Sequence, residues 1–290
     1  MTPPLSKLKF LVTGGGQLAQ CIEFIVPQNQ KDQFYFLNKS EFDITNQNQI
    51  NDFVEYNPID IIINCAAYTH VGKAESNPKC AQQVNVNGVD RLIKLCQKHN
   101  TFLFHISTDY VFDGQKREPY TESDSPNPIN QYGKSKTLGE QLLLESKIKA
   151  IIIRSSWIFS PFGTNFFKSI LSQIQQNKTL EVVNNQYGCP TYGIDLAQFI
   201  LSIANQFKTL NHRIYHFVNS GVATWYDVAK HIIDSMPMNT PASLVGVKQK
   251  NSIVKRPEYS ALNTTRIRQE FNMIPRNWKV ALTECISKIQ

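Results

Sequence analysis

Tyr132 and Lys136 stand four residues apart, downstream of the run Ser107-Thr108-Asp109-Tyr110. On a helix, positions i and i+4 share a face, so this phenol and ammonium can address one substrate atom and one cofactor. An ammonium beside a phenol favours the phenolate, making the group a better proton donor or acceptor near neutral pH. A hydroxyl such as Thr108 adds a donor that can steady charge developing on a carbonyl oxygen. The spacing alone says little, because Tyr35/Lys39 and Tyr226/Lys230 repeat it. Tyr35 falls in a strand-like run, where residues four apart are too distant to cooperate. No glycine loop and hydroxyl cluster of the right order lead up to Tyr226, so Tyr132 and Lys136 are the pair to follow.

A second constellation is Thr13-Gly14-Gly15-Gly16-Gln17-Leu18-Ala19. Gly14, Gly16 and Ala19 fit G-x-G-x-x-A, with a strand-like run before them and a helix opening at Gln17 and Leu18. Glycines there let the backbone turn tightly and approach a pyrophosphate, whose charge rests on the helix N-terminus. At the end of the next strand an acid would repel a 2′-phosphate. Asn38 and Lys39 stand there instead, offering no repulsion and one cation, so NADPH is admitted as well as NADH.

The elements that must position these groups alternate along the first half. Strands are expected at 9–13, 34–37, 60–64, 102–107 and 150–154, and helices from 17, over 46–56, over 80–99 and over 132–147. The strands are continuous rather than alternating apolar runs, which means a parallel sheet covered on both faces: a doubly wound α/β fold. The second half is less regular, with helices expected over 162–177 and 194–207, strands over 180–183 and 213–218, and a helix beginning near Thr224. Pro237 and Pro241 mark a loop. We expect a dinucleotide-binding domain over 1–155, with roughly 193–220 returning to it, and a smaller α/β domain over 156–290 that is mainly for substrate.

The length of 290 residues gives ample material for such a core, and the composition excludes a disordered chain. No apolar stretch approaches the roughly 18 residues that span a bilayer, and Met1 to Lys9 has no apolar core to serve as a signal peptide. The six cysteines, at 21, 65, 80, 96, 189 and 285, form no C-x-x-C pair and read as reduced thiols. A soluble, cytoplasmic protein is expected. Charge is unevenly placed: residues 1–145 carry 13 Lys and Arg against 16 Asp and Glu, residues 146–290 carry 17 against 7. The basic half suggests an anionic partner. No basic run is interleaved with aromatics, so a phosphate-bearing small molecule is preferred to nucleic acid.

With those residues in view, the chain resembles an extended short-chain dehydrogenase/reductase through Gly14–Ala19, Asn64–Thr69, Ser107–Gly114 and Tyr132–Lys136. Lys73–Ser76, Arg154–Trp157, Asn165-Phe166, Asn184–Gly188, Pro190-Thr191, Thr224-Trp225 and Arg256–Asn263 are similar to the dTDP-4-dehydrorhamnose reductase family, over essentially the whole chain. The resemblance implies a Rossmann fold and reduction of a 4-keto sugar nucleotide by NADPH or NADH, the last step of dTDP-L-rhamnose synthesis. In that scheme Tyr132 protonates the carbonyl oxygen, Lys136 holds the nicotinamide ribose and tunes the phenol, and Thr108 hydrogen-bonds the oxygen. Asp43 and Ile44 lie near the adenine, and Ala66, Ala67 and Tyr68 line the cofactor cleft. Asp109, Tyr110, Asn165 and Gln186 fall to the substrate, Trp157 offers it a flat apolar face, and Arg256 a cation for its diphosphate.

The chain departs from the family pattern in three places. The first loop is one residue shorter than G-x-x-G-x-x-G, and Ala19 replaces its last glycine. Gly72 stands where an acid is usual. Around Gln20 and Cys21 there is no acid of the kind some members use to hold magnesium at a dimer interface, so no metal is expected. The resemblance permits monomer or homodimer. Other sugar-nucleotide reductases and epimerases share the scaffold; a dehydratase would want a second acid where Tyr110 stands. The regulatory β subunit of methionine adenosyltransferase, which resembles the same family, offers a non-catalytic alternative.

Overall fold

Runs such as Ile61-Ile62-Ile63 and Ile151-Ile152-Ile153 suit strands twice over. Their branched side chains favour extended backbone, and apolar groups on both sides of the pleat need cover on both faces. In the computed structural model, which describes residues 7–27, 32–176, 179–204, 206–236, 243–248 and 254–289, these runs build the centre of the molecule. The strands are β1 (Lys9–Thr13), β2 (Gln33–Leu37), β3 (Ile61–Asn64), β4 (Phe102–Thr108) and β5 (Ala150–Ser155). Ile214–His216 returns from the second half to pair with β5. The resulting six-stranded sheet is parallel throughout, ordered β2-β1-β3-β4-β5 and then Ile214–His216. Its order reverses at β1, and such a switch point opens a crevice beyond the strands' carboxyl ends.

Helices cover both faces. On one, α1 (Gln17–Ile25) packs on the helix Gly193–Ala204, and Val12, Ile63, Phe104 and Ile153 point into their shared core. On the other, Leu11, Ile62, Leu103 and Ile152 meet Val89, Leu92 and Leu143. Burial of each such side chain is worth about 1.5–3 kcal/mol. The helix expected over 80–99 begins at Pro78, whose missing N–H costs nothing in a first turn. It then widens into a π-helical turn over Gln83–Gly88 before α-helix resumes at Val89–His99. Of the helix expected over 162–177, Phe166–Gln175 is helical, because Asn165 caps it from the Lys168 N–H and Gly163 before it adopts a φ of +61°. Residue 177 and the Pro237–Pro241 loop lie outside the described residues.

Thr224 and Asp227 form a reciprocal cap that starts the helix Trp225–Asp234. Short strands tie this half together, all but the expected Leu180–Val183 unforeseen in the sequence. Ile158–Phe159 runs beside Thr191–Tyr192, Tyr187–Gly188 against Ala223–Thr224, and Leu244–Val247 beside Leu180–Val183. No helix among the described residues is long and apolar enough to cross a membrane, and all six cysteines are free.

Candidate active site

The sheet register fixes the floor of the site. Thr13 lies opposite Asn64, Asn64 opposite His105, and one pleat further on Ser107 lies opposite Arg154. All point to the face whose deeper positions are Leu11, Ile62, Leu103 and Ile152, so that face turns from apolar to polar as the strands reach their carboxyl ends. Over it runs the helix Gln131–Glu145, capped by the Asn130 side chain on the Gly133 N–H. Its approach depends on Gly133, where an added Cβ would lie 2.1 Å from the Tyr110 carbonyl oxygen.

That approach brings the expected catalytic group together. Thr108 ends β4 and caps the turn Asp109–Val111, accepting from the Tyr110 N–H at 3.2 Å and donating to Asp109 Oδ1 at 3.1 Å. Burial pushes the Tyr132 phenol up to about 12; a hydrogen bond with the Thr108 hydroxyl lowers it and the Asp109 charge raises it. At neutral pH the phenol is therefore protonated, which suits a proton donor. The Tyr110 ring stands 5.9 Å from that of Tyr132, edge to face. Burial raises the Tyr110 phenol as well, against a hydrogen bond and charge from Arg256. Asp109 is buried and pushed up to about 7, eased by hydrogen bonds from Ser260 and Thr108.

Lys136 does not bear on the phenol as the sequence suggested. Its Nζ sits 2.6 Å from the Ile106 carbonyl oxygen and 3.0 Å from His105 Nε2, over the carboxyl end of β4. Burial pulls its pKa down to about 8, partly offset by Glu140 and Cys65. Glu140, one turn on, is held in a buried pair with Arg154 at 2.6 Å.

The residues expected to bind a dinucleotide follow β1, β2 and β3 at the sheet's carboxyl end. Gly14 has φ +88°, and a Cβ there would lie 2.9 Å from the Ala66 backbone. A Cβ on Gly16 would meet nothing within 4 Å, and no side chain caps the α1 N-terminus that Gly16 precedes. Open space in front of uncapped N–H groups fits a pyrophosphate. The Gln17 side chain donates to the Ile158 carbonyl and accepts from Ser160 and Asn165. Leu18 and Ala19 are buried in the core beside α1, which explains why alanine serves in place of the last glycine.

Asn38 Oδ1 is taken by Ser40, and the Asn38 N–H donates to Glu41, an acid that the sequence reading passed over. Lys39 is exposed, 3.9 Å from Asp43, whose carboxylate accepts from Thr45; Ile44 is buried against Gly88. Ala66, Ala67 and Tyr68 follow β3 half-buried. Asn85, in the π-helical turn, bonds the Tyr68 N–H and carbonyl and also Ser135, which pins that wall to the Tyr132 helix. NAD(P) is thus fitted by the residues present.

The substrate candidates are more scattered. Gln186 and Arg256 line one cavity of about 580 Å³ with Arg117, Lys255 and Glu258. Arg256 links it to Tyr110 and so to Tyr132. Trp157 adopts a left-handed φ of +47° and stacks at 3.7 Å on Trp225, so one face is already covered. Asn165 spends its amide on the Lys168 N–H, Gln17 and the carbonyls of Ser160 and Phe162. Gly72 meets only the His70 ring at ordinary contact distance, so no steric demand explains the missing acid. Among the described residues no three His, Cys, Asp or Glu gather as a metal site.

His105 and Asn85 stand in none of the runs named from the sequence, and Gly133, Ser260 and Trp225 only as members of Tyr132–Lys136, Arg256–Asn263 and Thr224-Trp225; the structure sets all five against candidate site residues. His105 had a signal: a polar residue within a buried strand, two positions before Ser107.

A parallel sheet with a glycine loop at its switch point, and Thr108 beside a Tyr-x-x-x-Lys helix, define an extended short-chain dehydrogenase/reductase. A family profile described as RmlD substrate binding domain matches residues 8–290. The dTDP-4-dehydrorhamnose reductase of Aggregatibacter actinomycetemcomitans is 37% identical over 287 residues, 94% of this chain and 97% of that one. The crystal structure of a Clostridium acetobutylicum dTDP-4-dehydrorhamnose reductase has a TM-score of 0.91 and 31% identity, covering 98% of this chain and 100% of that one. The Bacillus anthracis dTDP-4-dehydrorhamnose reductase, solved in complex with NADP, gives 0.90 and 32% over the same shares. The chain belongs to the RmlD family.

Proposed function

We propose that this protein reduces the 4-keto group of dTDP-4-dehydro-L-rhamnose to give dTDP-L-rhamnose, using NADPH or NADH. The observation that carries the reading is the protonated Tyr132 phenol beside the Thr108 hydroxyl, at the carboxyl end of β4. The nicotinamide, when bound, supplies hydride to the carbonyl carbon. Tyr132 then passes its proton to the oxygen, which a phenol titrating near 12 gives readily to an alkoxide. Thr108, by turning its one hydroxyl hydrogen from Asp109, would donate to the same oxygen and steady its charge.

Gly14, Gly16, Gln17 and Leu18 would seat the pyrophosphate at the start of α1, with Asn38, Lys39, Asp43 and Ile44 around the adenosine and Ala66, Ala67 and Tyr68 along the cleft. Lys136 would hold the ribose. Asp109, Tyr110, Trp157, Asn165, Gln186 and Arg256 are assigned to the dTDP-sugar, Arg256 as the cation for its diphosphate. In this reading residues 1–155, with 193–220, bind cofactor and the remainder mainly substrate. The enzyme works in the cytoplasm, as a monomer or homodimer, with no metal.

A coupled assay tests it: dTDP-glucose, the two upstream enzymes that make the keto sugar, and either reduced cofactor. Oxidation that needs the whole mixture and yields dTDP-L-rhamnose supports the proposal, and Tyr132→Phe should lower turnover about 10²–10⁴-fold while still binding cofactor. Cofactor binding without oxidation would refute it and leave two readings, reduction of another keto sugar or the non-catalytic alternative.

A further inference from the structure

The buried row Thr13, Asn64, His105 and Lys136 can satisfy its hydrogen bonds in only one pattern. The Ala66 N–H donates to Asn64 Oδ1 at 3.2 Å and the Thr13 hydroxyl to the same oxygen at 2.7 Å. A backbone N–H can only donate, so it fixes which end of the amide is the oxygen. The amide nitrogen therefore faces His105 Nδ1, at 3.0 Å. Since –NH₂ also only donates, Nδ1 must accept, and a neutral imidazole that accepts at Nδ1 carries its hydrogen on Nε2. His105 is only 1% exposed, and burial holds its pKa well below the usual value, which excludes the doubly protonated ring. Nε2–H thus points at Lys136 Nζ, 3.0 Å away. An ammonium has no lone pair to receive it; a neutral amine has one.

We propose that His105 is a positioning residue whose tautomer is coupled to the charge of Lys136. In the arrangement seen, Lys136 is a neutral amine receiving Nε2–H. Charging it requires the His105 proton to sit on Nδ1 and the Asn64 amide to turn over, which sets an –NH₂ against the Ala66 N–H.

The other groups facing Lys136 do not lift this constraint. From its own helix comes Glu140, which accepts three hydrogen bonds from Arg154; from the loop after β3 comes the Cys65 thiol, kept uncharged by burial; from β4 come His105 and the Ile106 carbonyl. The coupling reaches the glycine loop, because the Ala66 backbone that bonds Asn64 is what forbids a side chain at Gly14. Lys136 then presents its charge only when this row rearranges. That consequence for the cofactor's ribose rests on the function proposed above, whereas the protonation states do not.

The test uses the free protein labelled with ¹⁵N-histidine and ¹³C-lysine, titrated by NMR from about pH 6 to about pH 10. His105 and Lys136 signals are assigned by their absence in His105→Phe and Lys136→Met. The hydrogen should sit on Nε2 above the Lys136 midpoint and on Nδ1 below it, both changes sharing one midpoint. An Asn64→Asp carboxylate accepts from Nδ1–H, so there the ring should stay Nδ1-protonated throughout and the Lys136 midpoint rise by about one unit or more. A His105 tautomer that ignores the wild-type Lys136 titration would overturn the proposal, as would one that still switches in Asn64→Asp. Both readouts are independent of turnover, so a protein inactive on the keto sugar still decides the question.

Discussion

Replacing Gly133 with alanine sets two effects of opposite sign against each other. Gly133 lies in the first turn of the Gln131–Glu145 helix. Propensity alone favours alanine inside a helix by about 1 kcal/mol. Sterics oppose it, because the new Cβ would lie 2.1 Å from the Tyr110 carbonyl oxygen and 3.0 Å from Pro128 Cβ. A tolerable contact needs the helix and the Asp109–Val111 turn to part by about 1 Å, and the atom struck is backbone, which cannot swing away as a side-chain tip can. Overpacking of this kind costs about 1–3 kcal/mol, so the steric effect wins. The same displacement separates Tyr132 from Thr108, and a misplacement of about 1 Å at reacting groups costs on the order of 10²-fold in rate. Thermal unfolding, NADPH titration and the coupled assay should show a lower Tm, a cofactor affinity reduced far less than turnover because the Gly14 turn is untouched while Lys136 moves with the helix, and turnover down about 100-fold. A Gly133→Ala protein with wild-type or raised Tm and full turnover would refute the reasoning.

Asp109 should impose a pH slope on stability. Its pKa is raised from 3.8 to about 7, so between those values the folded state holds a proton that the unfolded state has lost, and stability falls as pH rises through that window. Asp109→Asn should remove this slope, visible as Tm curves that converge towards about pH 4 and diverge towards 7; parallel curves would count against it. The buried Glu140–Arg154 pair should behave asymmetrically: Glu140→Gln leaves a buried guanidinium without its anion and should cost about 3–5 kcal/mol in urea unfolding, and Glu140→Leu/Arg154→Met should recover most of it.

The strands and most helices were legible because each carries its own signal. Ile61–Ile63 and Ile151–Ile153 can only be strands buried on two faces, and Thr13–Ala19 joins strand to helix through glycines. Tyr132, Lys136 and Thr108 were legible by chain order. What remained hidden depends on contacts between segments far apart in sequence. Asn85 looks like one more polar residue in a helix until the π-helical turn delivers it to Tyr68 and Ser135. Ser260 lies in the run Arg256–Asn263, but its part shows only in its bond to Asp109, 151 residues away. Trp157 is expected to offer a flat apolar face, and only the structure shows that Trp225, from a distant helix, covers one side of it. Lys136 was expected to tune the phenol because spacing places both on one helix face, but the i+4 rule fixes where a side chain starts and not where a long one ends. His105 captures its tip.

The sheet face under the Tyr132 helix carries a pattern that a linear reading blurs. Along β1, β3 and β4, every second residue on that face runs Leu11 to Thr13, Ile62 to Asn64, and Leu103 to His105. Each strand is still apolar on its other face at that depth, through Val12, Ile63 and Phe104, so the run as a whole looks uniformly buried. Burying a polar row at that depth is unfavourable unless every donor finds an acceptor. Here parallel pairing in register places Thr13, Asn64 and His105 side by side, and Lys136 closes the row from above. The stability of the arrangement and, on the coupling proposed above, the charge of Lys136 are set by the same hydrogen bonds. An apolar substitution at His105 would leave Asn64 and Lys136 each lacking a partner, and the effect would be felt at the Gly14 turn through Ala66.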